Sequence, residues 1–215
     1  MSVQLFIFDL DGVLADTEPL HTYAKREILK ETGLLTEKDV TDYIGKPNKD
    51  MWQEILLENG RDEPAPDALE RRQYEIILEQ MQARNIGGTE GLDALLDALA
   101  SRGIKVGVCS SSDRHYVDGV LAILQRAERF DYIVGGDEVA TKKPAPDGYL
   151  RVLALAGVAP GDAMALEDSF SGMTAACAAG IACVGLISPE SGEQDLSAGI
   201  AQVHRLEEVI PLLDA

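Results

Sequence analysis

Two aspartates, two residues apart, end the first apolar run of the chain. Asp9 and Asp11 follow VQLFIF, residues 3–8, in the stretch FIFDLDGVLADTEPLH. One carboxylate could attack a phosphoryl group, and the other could protonate the leaving oxygen and then deprotonate the incoming water or hydroxyl. Because residues two apart in an extended backbone point the same way, the pair predicts covalent catalysis with an acid/base partner. The alternative is that Asp9 only forms a turn or caps a helix.

Polar residues also follow other apolar runs: Ser110, Ser111 and Ser112 after residues 104–109, Lys143 after residues 132–136, and Glu167 with Asp168 at the end of residues 163–167. Each alone could be a helix cap or a solvated charge. If the runs are parallel strands, all of these residues lie at one edge of the sheet, where ligands bind.

Clustered carboxylates destabilise a fold unless a cation offsets them, and Mg²⁺ prefers carboxylate oxygens. The pattern predicts Mg²⁺ held by Asp9 and Asp168, with Lys143, the Ser110 hydroxyl and the N–H groups of the serine turn on phosphoryl oxygens.

Short apolar runs alternate with helical patterns over most of the chain. The predicted strands are residues 3–8, 104–109, 132–136, 163–167 and 181–186, with helices at 92–103, 149–157 and just before Gly180. This alternation predicts an α/β fold with a Rossmann-like parallel sheet.

The β pattern is absent between residues 17 and 86, where three helical patterns occupy residues 20–33, 48–60 and 67–84. We therefore predict two domains, an α/β core of residues 1–16 and 87–215 and an inserted all-helical cap of residues 17–86. Met51, Trp52, Ile55 and Leu56 recur at helical spacing and are predicted to form the core of the insert.

The composition favours a small-molecule partner. The 215 residues carry a formal net charge of −18, which disfavours nucleic acid and anionic membranes. The three cysteines form no C-x-x-C pair, so we expect buried, reduced thiols in a cytoplasmic protein. The first apolar run is too short for a signal peptide or a membrane-spanning helix. We expect a monomer, with a dimer as the alternative.

Four motifs together resemble the haloacid dehalogenase-like hydrolase superfamily, in its β-phosphoglucomutase and phosphatase branch: DLDGVLADT (9–17), CSSS (109–112), KKPAPD (142–147) and LEDSFSG (166–172). The resemblance covers nearly the whole chain and implies a helical cap after the first core strand. It implies Asp9 as nucleophile, Asp11 as acid/base, and Ser110 and Lys143 as phosphate ligands. It also implies Mg²⁺ bound by Asp9, the backbone carbonyl of Asp11 and Asp168, with Glu167 at or next to the metal. The dehalogenating members lack the second aspartate, so Asp11 favours phosphoryl transfer.

The resemblance also implies substrate contacts outside these core motifs. They are His21 and, in the segment YIGKPNKDMW, Gly45, Lys46 and Asn48. Ser111 and Ser112 of the serine turn are also predicted to bind substrate, through the N–H groups described above.

These residues favour a Mg²⁺-dependent phosphatase for a small phosphorylated metabolite, either a sugar phosphate or a phosphoglycolate-like compound. A β-phosphoglucomutase is the alternative enzyme. Such mutases carry an arginine after the cap glycine and a Lys-Asn pair after the serines, where this chain has Asn48 and Asp113-Arg114; Lys46, Lys49 or Arg114 could substitute. A noncatalytic binding module is disfavoured because no catalytic group of the motifs is missing.

Overall fold

The computed structural model describes residues 3–43, 47–188 and 192–214 and divides the chain into two compact units. The α/β unit comprises Met1–Asp16 and Ile86–Ala215, and the helical unit comprises Thr17–Asn85. All the strands of the described residues belong to the α/β unit. The predicted fold class, a Rossmann-like parallel sheet with an inserted all-helical domain, is confirmed.

The α/β unit is built on a single sheet of six parallel strands in the order β3-β2-β1-β4-β5-β6. The strands are β1 Leu5–Phe8, β2 Lys105–Cys109, β3 Tyr132–Val134, β4 Ala163–Glu167, β5 Ala182–Leu186 and β6 Ala201–Val203. Phe8, the last residue of β1, pairs with Val108 on one side and Leu166 on the other. The strand order therefore reverses between β1 and β4, which is where open parallel sheets bind ligands.

The five predicted strands are confirmed. Two glycines end β3 two residues earlier than predicted, because Gly136 already begins a 3₁₀ turn. The sixth strand was not predicted: Ala201–Val203 contains only three residues, and Gln202 interrupts its apolar pattern. All four residues of β1 are buried, as expected for a central parallel strand covered on both faces.

Seven α-helices surround the strands or form the insert: α1 Glu18–Thr32, α2 Asn48–Glu58, α3 Pro66–Ala83, α4 Leu92–Ser101, α5 Arg114–Ile123, α6 Asp147–Ala156 and α7 Phe170–Ala178 within the described residues. The 3₁₀ helices there span Val40–Tyr43, Ala127–Arg129, Gly136–Glu138, Pro160–Asp162 and Leu206–Asp214. Gly157 follows α6 with φ of 66°, a left-handed conformation that glycine adopts without strain. None of the helices in the described ranges has both the length and the apolar character needed to cross a membrane.

The helical unit has its own core, formed by the residues that the helical spacing indicated. Met51, Trp52, Ile55 and Leu56 of α2 are at most 1% exposed. The indole N–H of Trp52 donates to Oε1 of Gln73 on α3 at 3.1 Å, which satisfies the polar edge of this buried ring. Of the three cysteines, Cys109 and Cys183 are buried as predicted, whereas Cys177 is exposed because it lies on the outer side of α7.

Candidate active site

The chain turns sharply where β1 ends, and this turn sets the positions of the two aspartates. Asp9 extends the sheet by one residue, since its N–H donates to the carbonyl of Leu166 at 3.0 Å. Gly12 then adopts a φ of 79°, and its N–H donates to the carbonyl of Ala15 at 2.8 Å. The left-handed conformation at Gly12 lets the chain leave the sheet immediately after Asp11. Both aspartates therefore lie at the carboxyl end of the sheet, as predicted.

Asp11 is oriented by two hydroxyl groups that follow β2. Ser112 Oγ donates to Asp11 Oδ2 at 3.1 Å, and the Tyr116 hydroxyl donates to Asp11 Oδ1 at 2.9 Å. Tyr116 lies in the first turn of α5 and is buried. Sequence analysis missed its contact, because an aromatic residue at a helical core position indicates packing rather than a hydrogen bond to a distant aspartate.

The serine turn after β2 offers donors to a ligand. Ser110 N–H donates to the carbonyl of Val134 at 3.1 Å, and Ser112 N–H donates to Ser110 Oγ at 3.0 Å. The Ser110 hydroxyl therefore accepts this bond and keeps its own proton for another acceptor. The Ser111 N–H meets no acceptor in the three described ranges of the chain. These groups form a small donor set beside Asp11.

Lys143 links the ends of three neighbouring strands. Its ammonium donates to Asp9 Oδ1 at 2.5 Å, to Glu167 Oε1 at 2.6 Å and to the carbonyl of Cys109 at 2.8 Å. These three bonds use all three of its donors, and its side chain is only 7% exposed. Lys143 is therefore a buried part of the site rather than a solvated charge.

Glu167 and Asp168 complete the acidic side of the cluster. Glu167 is fully buried and also accepts a hydrogen bond from the Tyr149 hydroxyl at 2.5 Å. One oxygen from each of Asp9, Glu167 and Asp168 can lie within 4.8 Å of the others, which suits a cation. Tyr149 was also missed by sequence analysis, because its position in α6 fits the core.

One ammonium does not compensate the negative charge gathered around it. Burial raises the pKa of Asp9 well above its usual value; Lys143 opposes this, while Glu167, Asp168 and Asp11 raise it further. Burial lowers the pKa of Lys143, but Asp9 and Glu167 together outweigh burial and leave that pKa raised. Burial is the largest cause of the raised pKa of Asp9, and the neighbouring carboxylates, which outnumber the ammonium, contribute to the raised pKa of both groups. Protonation of Asp9 or a bound cation would relieve this excess.

Two of the substrate-binding residues predicted in the helical insert share a hydrogen-bond partner. His21 of α1 and Asn48 of α2 both bond to Gln73 of α3, which sequence analysis did not single out. Gly45 and Lys46 lie outside the described residues.

The family model of the haloacid dehalogenase-like hydrolases matches residues 6–186. The chain belongs to this family. The match includes the acidic cluster of Asp9, Glu167 and Asp168, as well as the serine turn and Lys143.

Relatives of this haloacid dehalogenase-like hydrolase include named phosphatases. It is 32% identical over 208 residues to the protein CbbY of Rhodobacter capsulatus, covering 92% of this chain and 91% of the relative. It is 31% identical over 217 residues to the phosphorylated carbohydrates phosphatase of Thermotoga maritima, covering 98% of each. The crystal structure of a CbbY mutant from Rhodobacter sphaeroides in complex with xylulose-(1,5)bisphosphate aligns with a TM-score of 0.88 at 26% identity, covering 96% of each chain. These relatives support the predicted enzyme class, a phosphoric monoester hydrolase.

Replacing Gly172 by alanine is expected to destabilise the hydrolase and displace Glu167. A Cβ at Gly172, near the start of α7, would lie 1.9 Å from Glu167 Oε2. Glu167 has little freedom to move, because Lys143 and Tyr149 hold its other oxygen. We expect Gly172→Ala to lower the free energy of unfolding by about 2 kcal/mol, as overpacking does. Turnover should fall by about 10²-fold, since Lys143 would move with Glu167.

Urea unfolding and steady-state kinetics measure these two effects. Gly161→Ala is the matched control and should change neither quantity, because a Cβ there meets no atom of the described residues within 4 Å apart from its chain neighbours. Equal unfolding curves for Gly172→Ala and Gly161→Ala would mean that Glu167 is not held as rigidly as its contacts indicate.

Proposed function

We propose that the protein is a Mg²⁺-dependent phosphatase that hydrolyses a small phosphorylated metabolite through an aspartyl-phosphate on Asp9. The observation that carries the proposal is the buried ammonium of Lys143, shared by Asp9 and Glu167 within an excess of carboxylates. Such a cluster is suited to a cation and a phosphoryl group together, because the cation offsets the carboxylates and the donors bind the anion. Among possible substrates, sugar phosphates are favoured by the named activity of the Thermotoga maritima relative.

The residues present fit Mg²⁺. Asp9, Asp168 and the backbone carbonyl of Asp11 are the proposed ligands, with Glu167 at or next to the metal. All are hard oxygen donors, and the three carboxylates can converge within 4.8 Å. When bound, the ion would neutralise charge on the phosphoryl oxygens and on the cluster itself.

The proposed reaction has two steps, both carried by residues after β1. In the first, an Asp9 oxygen forms a bond to phosphorus, the bond from phosphorus to the leaving oxygen breaks, and Asp11 gives that oxygen a proton. In the second, Asp11 takes a proton from water, the water oxygen bonds to phosphorus, and the Asp9 carboxylate is released with inorganic phosphate as the product. The Ser110 hydroxyl and the Ser111 N–H hold the phosphoryl oxygens, and Lys143 joins them by exchanging one of its three present hydrogen bonds for a phosphoryl oxygen. Ser112 and Tyr116 orient Asp11 for both proton transfers.

The mutase alternative needs cations to hold a second phosphate, and two of the candidates named for it are engaged elsewhere. Arg114 pairs with Asp118 at 2.8 Å and also donates to the carbonyl of Ile133 at 3.0 Å. Lys49 pairs with Asp67 at 2.7 Å. Both are surface ion pairs that contribute little and can give way to a ligand, and Lys46 lies outside the described residues, so the choice between hydrolysis and return of the phosphoryl group to a sugar hydroxyl rests on the assay.

The deciding experiment measures phosphate release with Mg²⁺ from sugar phosphates, phosphoglycolate and nucleoside monophosphates. Conversion of β-glucose 1-phosphate to glucose 6-phosphate is followed in parallel, with a bisphosphate primer. We expect release from one or a few sugar phosphates, abolished by a chelator and restored by added Mg²⁺. A chelator-insensitive rate would contradict the metal dependence. Glucose 6-phosphate with little free phosphate would instead establish the mutase, and failure in both assays would favour the noncatalytic module.

A further inference from the structure

The ammonium of Lys143 has three donors, and all three are bonded in this structure. Its acceptors are Asp9 Oδ1 at 2.5 Å, Glu167 Oε1 at 2.6 Å and the carbonyl of Cys109 at 2.8 Å. A phosphoryl oxygen can therefore gain a hydrogen bond from Lys143 only if one of these acceptors loses its own. The acceptor that gives up its bond determines how strongly the site can bind an anion.

Glu167 is the acceptor that keeps a donor after such an exchange. Outside the ladders between strands, neither Asp9 Oδ1 nor the Cys109 carbonyl accepts from a second donor among the described residues. Glu167 Oε1, in contrast, also accepts from the Tyr149 hydroxyl at 2.5 Å. Glu167 is fully buried, and a buried carboxylate oxygen without a donor destabilises a fold. Lys143 can leave Glu167 Oε1 because Tyr149 remains bonded to it.

The side chain of Tyr149 is suited to this role by its burial and by its contact with the ammonium. Tyr149 lies in α6 and is fully buried. Burial, followed by the field of Glu167, raises the pKa of Tyr149, so its hydroxyl keeps its proton and donates. The ammonium of Lys143 lies 5.2 Å from the centre of the Tyr149 ring, a favourable contact that does not involve Glu167.

We propose that Tyr149 is a positioning residue for phosphoryl binding, a role that rests on the proposed function for the presence of a phosphoryl group. Its hydroxyl keeps Glu167 Oε1 bonded while Lys143 transfers one hydrogen bond from that oxygen to a phosphoryl oxygen. The ammonium keeps its bonds to Asp9 and to the Cys109 carbonyl, so it remains beside the nucleophile. A phenylalanine at position 149 would retain the ring but could not supply this bond.

The test measures binding of inorganic phosphate by calorimetry in the presence of Mg²⁺, and it needs no turnover. In Tyr149→Phe, phosphate binding would remove the last donor of Glu167 Oε1, so the Kd for phosphate should rise about tenfold. In Lys143→Met no exchange takes place, so adding Tyr149→Phe to that variant should leave the Kd unchanged. An equal effect of Tyr149→Phe in both backgrounds would overturn the proposal, because Tyr149 would then act without Lys143.

Tyr132→Phe is the matched control. Tyr132 lies in β3 of the same unit, and its ring also has an ammonium nearby, that of Lys105 at 5.9 Å from the ring centre. Its hydroxyl bonds to nothing in residues 3–43, 47–188 and 192–214. This variant should bind phosphate with the wild-type Kd.

Urea unfolding with and without inorganic phosphate distinguishes positioning from a structural role, and it does not depend on the destabilised Lys143→Met. Phosphate should raise the urea midpoint of the wild type and of Tyr132→Phe more than that of Tyr149→Phe. A purely structural hydroxyl would lower the midpoint of Tyr149→Phe equally with and without phosphate, and that result would overturn the proposal. Phosphate binding unaffected by Tyr149→Phe would overturn the role of Tyr149 alone. A wild type that binds no phosphate would overturn the phosphoryl site of the proposed function as well.

Discussion

Asp9→Asn is expected to lower turnover by about 10⁴-fold or more while leaving the protein folded. An amide cannot act as the nucleophile that forms the phosphoryl-enzyme bond, and the donors around it bind substrate without completing the reaction. The same change should raise the free energy of unfolding by about 1 kcal/mol in the presence of a chelator. Burial and the neighbouring carboxylates raise the pKa of Asp9, so its ionised form destabilises the fold at neutral pH.

The pH dependence provides an internal check on this stability effect. The pKa of Asp9 is higher in the folded state than its ordinary value of 3.8, so the folded state favours the protonated form. The stability advantage of Asp9→Asn should be complete above the folded-state pKa, and it should shrink as the pH falls towards 3.8. Urea unfolding of Asp9→Asn and of the wild type, between neutral and acidic pH, measures this difference in the free energy of unfolding.

Asp162→Asn is the matched control for the Asp9 substitution. Asp162 precedes β4 at the opposite end of that strand, and its side chain bonds to nothing in the described parts of the chain. This variant should keep wild-type turnover and stability. Residual activity of Asp9→Asn close to that of Asp162→Asn would contradict the covalent mechanism, whatever the stability of the two proteins.

Sequence analysis predicts the residues of the site best where they follow strands. Asp9, Ser110 and Glu167 each end or follow an apolar run. A parallel sheet places the carboxyl ends of its strands at one edge, so the sequence pattern alone predicts that these residues lie close together. The order of the strands was not predicted, because the alternation of strands and helices does not show that β1 lies between β2 and β4. Lys143 lies several residues beyond the strand that precedes it, so the pattern of strand ends placed it less directly than the other residues.

Residues that support the site from helices could not be predicted in the same way. Tyr116, Tyr149 and Gln73 occupy buried helical positions where a hydrophobic residue would satisfy the same pattern. Their hydrogen bonds depend on the distance between side chains far apart in sequence, which periodicity does not contain. The burial of Lys25 in α1 was not predicted either, because a lysine in an amphipathic helix is expected to be exposed.

Lys143→Met should be the most destabilising of these substitutions. It removes the only ammonium bonded to Asp9 and Glu167 among the described residues and leaves both carboxylates buried. Removing one partner of a buried ion pair costs about 3–5 kcal/mol, so we expect a loss of that order in a chelator at neutral pH. Turnover should fall by about 10²–10³-fold, since one phosphoryl-binding charge is lost. Urea unfolding and phosphate release measure the two effects.

Lys142→Met separates the effect of Lys143 from a general loss of charge in this segment. Lys142 is the preceding residue, and its one ion pair within the described parts of the chain is with the partly exposed Asp113 at 3.3 Å, so its removal should have little effect on unfolding. Lowering the pH should restore stability to Lys143→Met, because its carboxylates would then bind protons.

The double variant Asp9→Asn/Lys143→Met tests whether the two charges act together. Asp9→Asn removes one of the carboxylates that Lys143→Met leaves unpaired, so the double variant should be more stable than Lys143→Met alone. If Lys143→Met instead unfolded like the wild type at neutral pH, Asp9 and Glu167 would have to be protonated there. A protonated Asp9 is a poor nucleophile, so that outcome would contradict the chemistry as well as the electrostatics of the proposed site.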